Sequence, residues 1–237
     1  MDSKKEHKML LQNIELNKRI NNNMEETKKM QKLQNSEIDE HGSLRIRGHI
    51  KISDPETLEV YVEKCNAIHY ENFSIGLAQA MSNQGQGFIS DMCFGNGGSR
   101  IDPTGIITYL TPNAVGLNAS LYNQTYSKEV DANQITNLDP SRNFMEVRHI
   151  TGTAYSDILV SCLLDFGEPS GQQAFDNSTS ANGEFVFDEI GLRGYSTSGA
   201  GTGLLLTHVI FHPVQKALNR LLQIDYTVRI QSLTNGA

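Results

Sequence analysis

Residues 44–52 read LRIRGHIKI and residues 59–69 read EVYVEKCNAIH, separated by Ser53 and the short stretch DPETL. In the first run Leu44, Ile46, Ile50 and Ile52 alternate with polar or small residues. That period of two is the mark of a strand with one face buried. Asp54 and Pro55 break it as a turn does, and the second run returns as another strand. Strand, turn, strand is therefore the opening expected of the body of this chain.

The same texture continues. Further strands are expected at 87–95 (GFISDMCFG), 105–112 (GIITYLTP), 143–154 (NFMEVRHITGTA) and 156–166 (SDILVSCLLDF). Others are expected at 183–195 (GEFVFDEIGLRGY), 203–211 (GLLLTHVIF) and 220–233 (RLLQIDYTVRIQSL). One short helix fits NFSIGLAQAMSNQGQG: Asn72 can cap it, Phe73, Leu77, Ala80 and Met81 share a face, and Gly85 and Gly87 end it. The stretches 112–142 and 167–182 are longer than ordinary connections, and loops of that length reach neighbours or carry function. Many short strands with one helix predict a mainly β chain, a jelly-roll-like β-sandwich with helical decoration.

Residues 1–43 read differently, as a separate N-terminal interaction arm preceding a body at 44–237. The first 40 residues contain no glycine or proline and are rich in Lys, Glu, Asn and Gln. Their apolar residues, such as Leu10, Ile14, Ile20 and Met24, keep only a broken helical spacing. A helix this polar is not stable alone in water. A disordered tail and an extended or helical arm that orders on a partner both fit the composition; the arm is the reading adopted.

The net charge of −7 lies in the body, because the first 40 residues balance eight basic against eight acidic residues. An acidic body argues against specific nucleic-acid binding, which needs Lys and Arg to neutralise phosphates. It suits a surface that DNA slides past. No apolar run approaches the roughly 20 residues of a membrane span, so no membrane partner is expected. The start of the chain shows no signal-peptide pattern. Three widely spaced cysteines, Cys65, Cys93 and Cys162, read as buried, reduced thiols.

No chemical motif survives inspection, and no catalytic, cofactor-binding or metal-binding residue is assigned. FGNGGS at 94–99 has the glycines of a phosphate cradle but no following lysine and no following helix, so it reads as a turn with Asn96 and Gly97 left-handed. His208 and His212 have helical metal spacing but sit in a strand-like run, where they lie about 13 Å apart. Asp188 and Glu189 are adjacent, so in a strand they face opposite sides and do not form an acid–base pair. Cys162 in LVSCLLDF looks like core. An enzyme is not expected, nor is a cofactor.

Three pieces carry a resemblance: 48–83, with the two-strand opening and NAIH before the helix; 91–109, with FGNGG; and 183–230, with FDEIGL and the two closing apolar strands. There the chain resembles a group of tailed-bacteriophage virion structural proteins, over most of residues 44–233. The resemblance implies a non-enzymatic part of the neck or tail, such as a head-to-tail connector or a tail-tube component. Such a protein is made in the host cytoplasm, resides in the virion and forms a ring with copies of itself. Its neighbours would be portal, adaptor, tail or fibre proteins, reached through the arm and long loops, and its ring could line a DNA channel. A collar, head-decoration or fibre-docking protein of the particle is the alternative.

Overall fold

The computed structural model describes residues 43–169 and 184–233. The expected arm at 1–43, apart from Ser43, and most of the long stretch 167–182 lie outside the described residues. Within them the protein is mainly β, with eleven strands and one helix. Leu44–Gln231 form one compact unit.

Chain opening and turn chemistry match the first two runs closely. β1 (Ser43–Ser53) pairs antiparallel with β2 (Val60–Ile68), with Gly48 opposite Asn66 and Ile52 opposite Val62. Alternation buries Ile46, Ile50 and Ile52. The connecting turn is fixed by Asp54, whose Oδ1 accepts from the backbone N–H groups of Glu56 (2.8 Å) and Thr57 (3.1 Å).

The helix α1 (Tyr70–Met81) follows at once, but its ends differ from the expectation. His69, not Asn72, is the N-cap: its Nδ1 accepts the Asn72 N–H at 3.2 Å. Asn72 lies inside the first turn, and its side chain donates to the Leu205 carbonyl at 2.9 Å. The helix stops at Met81 with Asn83 in the left-handed region (φ 55°), earlier than Gly85.

Nine strands form one antiparallel sheet that folds over on itself. The first half runs β6 (Gln124–Glu129), β3 (Ile89–Gly95), β9 (Glu184–Gly194), β10 (Thr207–Ala217). The second runs β2, β1, β11 (Leu222–Leu233), β8 (Tyr155–Leu164), β7 (Phe144–His149). Among the described residues the β10–β2 ladder is short, Thr207 opposite Ile68 and His208 opposite Ala67, so the halves meet at a narrow corner. Their inner faces share one core, giving the sandwich-like body. Phe187 stands edge-on to both Phe94 (5.7 Å) and Phe211 (5.8 Å) in that core.

Three elements depart from the sequence reading. β10 begins at Thr207 rather than 203 and runs through Pro213, where its register against β9 shifts between Ile210 and Val214. Proline is tolerated there because a bulge needs no ladder N–H. β6 lies inside the stretch taken as a long loop, and β4 (Ser99–Ile101) is not among the expected strands; it forms a small hairpin after the glycine stretch with β5 (Ile107–Tyr109), which falls within the strand expected at 105–112.

Candidate functional site

The outer face of the β6–β3–β9–β10 half is not left to solvent. Segment 110–123 lies across it, and Leu121 joins Cys93 and Leu205 in a small second core. Gly191 of β9 leaves room for this approach: a Cβ there would stand 3.1 Å from Leu121 of the segment, and also 2.6 Å from the Thr207 carbonyl oxygen of the adjacent strand. The polar groups that fix the segment are the most concentrated side-chain chemistry in the described residues.

Glu189 is at their centre, fully buried. Its Oε1 accepts from the backbone N–H groups of Gly97 (3.1 Å) and Asn123 (2.7 Å). Its Oε2 accepts from the Tyr122 N–H (2.9 Å) and faces His208 Nε2 at 3.0 Å. His208 Nδ1 accepts from the Asn113 N–H at 2.8 Å, which places the ring proton on Nε2, donating to Glu189. Four donors saturate one carboxylate. Burial pushes the Glu189 carboxyl upward, but the His208 hydrogen bond and the Asn123 and Tyr122 amides outweigh it and hold it below its ordinary value.

Asp188 meets the same glycine stretch. Its Oδ1 accepts from Gly98 N–H (2.8 Å), and its Oδ2 from Ser99 N–H (2.7 Å) and the Ser99 hydroxyl. Burial, with the neighbouring Glu189 charge, raises its carboxyl despite those bonds. The adjacent acids were expected to serve opposite faces. In the structure Asp188 sits opposite the register shift of β10, and both carboxylates reach residues 97–99.

The glycine stretch is therefore an anion cradle, filled by the protein's own carboxylates. It is not the left-handed turn predicted: neither Asn96 nor Gly97 has positive φ. Glycine is required at 97 for space, since a Cβ would lie 2.7 Å from the Asn123 nitrogen. The backbone it admits is that of the same chain.

A second histidine ties the segment from the other side. His69, also fully buried, directs Nε2 to the Gly116 carbonyl at 2.9 Å while its Nδ1 caps α1. His212 is exposed on β10, 3.1 Å from the Tyr109 hydroxyl, and takes no part. Cys93 and Cys162 are fully buried, and burial pushes both thiols up to about 12, away from nucleophilic use. Cys65 is exposed, contrary to the expected burial.

Beside the covered face runs a groove with a cavity of about 480 Å³ at one end. Its single charged lining residue, Arg193, is buried and donates to Gln124 Oε1 (2.9 Å), the Gly203 carbonyl (2.6 Å) and Ser120 Oγ (2.5 Å). Asp91 lies opposite it in register; burial pushes that carboxyl up to about 6, with the Arg193 charge opposing. The guanidinium thus joins three segments of its own chain.

Chemically the Glu189–His208 pair has the distance of an acid–base couple but no access for a substrate, both side chains being sealed. It acts as a clamp. Sequence reasoning missed it because the partners come from two strands and two loops. The available signal was acids and a histidine inside apolar strand runs, since such groups must find partners when buried. Among the described residues no three His, Cys, Asp or Glu side chains converge as metal ligands, and no helix is long and apolar enough to cross a membrane. Compared with known protein families, curated proteins and solved structures, the chain matches none.

Proposed function

We propose that this protein is a non-enzymatic structural subunit of a tailed-phage virion, part of the neck or tail, assembling with copies of itself into a ring through which DNA passes. The observation that carries the assembly reading is where the exposed apolar side chains sit. Ile135 (98 % exposed) and Leu138 (96 %) stand out from the loop between β6 and β7, and Ile101 and Ile106 from the β4–β5 hairpin. Exposed on a loop and on a hairpin, such residues are suited to contact with other subunits. The clamp fits the same reading, because it commits the buried Glu189–His208 couple to holding the chain's own segment. The acidic body supports passage of DNA without adhesion. The phage assignment itself rests on the resemblance of 48–83, 91–109 and 183–230.

Immunogold labelling of purified particles with antibody to this protein tests the reading. Label confined to the tail vertex is the expected result. Label over the capsid faces would reject it in favour of a head-decoration role.

A further inference from the structure

β7 ends the nine-stranded order, and among the described residues its backbone bonds only to β8. Its sequence from 144 to 150, FMEVRHI, leaves Glu146, Val147, Arg148, His149 and Ile150 exposed. Val147 is 71 % exposed although it lies in register beside Ile158, which packs on the core. Open strand edges pair with other chains unless something blocks them.

The charges on the outer face select the partner. Arg229 of β11 lies opposite Asp157 of β8, which lies opposite Arg148 of β7. Arg229 holds Asp157 through two bonds, at 2.7 and 2.8 Å, and this depresses the Asp157 carboxyl below its ordinary value. Across three strands the row reads plus, minus, plus. The next strand would continue the alternation by placing an acid opposite Arg148. Glu146, which bonds Arg148 within β7 at 3.2 Å, is the acid this same strand carries two residues away.

We infer that β7 is a self-docking edge, at which a second copy of this chain pairs antiparallel about Val147. In that register Glu146 faces Arg148 of the copy and Arg148 faces Glu146, while Val147 meets Val147 beside the core. Phe144 then faces Ile150, and Met145 faces His149. Shifting the centre to Glu146 or Arg148 puts like charges opposite each other, so one register is selected. The contact is isologous, joining copies in pairs, and it stands apart from any ring, which such a contact alone does not close. A single strand pair is small beside stable interfaces, so the dimer is weak and concentration-dependent.

The test uses the full chain in a Cys65→Ser background, with single cysteines at 145, 147 and 149 under mild oxidation. Val147→Cys is expected to form a disulfide-linked dimer, because facing Cα atoms in this pairing are about 5 Å apart. Met145→Cys and His149→Cys alone stay monomeric, each lying about 13 Å from its own counterpart. Sedimentation should show the weak dimer lost in Glu146→Arg and in Arg148→Glu. It should return in the double variant, at reduced extent because position 148 faces Asp157 in the same sheet. A folded Val147→Cys protein that remains monomeric, or equal cross-linking at all three positions, would overturn the proposal. So would dimerisation indifferent to the single charge reversals. A different protein bound at this edge would also leave purified Val147→Cys monomeric and count against it. None of these results depends on where the protein sits in a particle.

Discussion

At the scale of single residues, Glu189 carries the most consequence. Four donors converge on one buried carboxylate, three of them backbone N–H groups from two separate segments. Glu189→Gln keeps the shape but turns an amide NH₂ toward donors that need an acceptor. Breaking a buried charged network in this way costs about 3–5 kcal/mol, and denaturant unfolding at neutral pH measures it. The sign of the pH dependence follows from a folded-state carboxyl held below its ordinary value of 4.5. Such a group contributes stability that is full above its unfolded pKa and is lost as pH falls through the folded one. The difference between wild type and Glu189→Gln should therefore shrink as pH drops below 4.5. A difference that stays constant into that range would show that the charge on Glu189 is not what holds the segment.

At the scale of elements, the covering segment 110–123 depends on close approach to β9. Gly191 has ordinary φ, so its requirement is steric: an added Cβ meets the Thr207 carbonyl of the adjacent β10 at 2.6 Å, which a rotamer change cannot relieve, and Leu121 of the segment at 3.1 Å. Gly191→Ala should destabilise the protein by ~1–3 kcal/mol through overpacking. It should also raise amide hydrogen exchange at Leu121–Asn123 more than in β11. Uniform exchange across both would mean the segment is not separately anchored there. The elements also show what the sequence could reveal. β1 and β11 were legible because burying one face of a strand writes a period of two into its residues. β6, QTYSKE, is half-buried along its whole length, so no alternation marks it. His69 escaped notice as a cap because its ring nitrogen performs a task usually assigned to short oxygen-bearing side chains. The clamp was illegible for a different reason: its parts lie far apart in sequence and are united only by strand register and by the glycines that admit the loop.

At the scale of the whole molecule, one sheet folds into a sandwich and a third layer of chain closes over half of it. Among the described residues, buried Glu189, His208 and His69 are engaged in that closure, while exposed apolar side chains include Ile135 and Leu138 on a loop and Val147 on the edge strand β7. The proposed structural role has such a molecule contact other copies and other proteins, with the Glu189–His208 pair committed to holding the covering segment. The most direct test of that account is a symmetry-resolved reconstruction of the intact particle that counts the copies of this chain. The account predicts a closed ring on the portal–tail axis, with copies on the order of ten. Copies in the hundreds, spread across the capsid, or none in the particle at all, would contradict it.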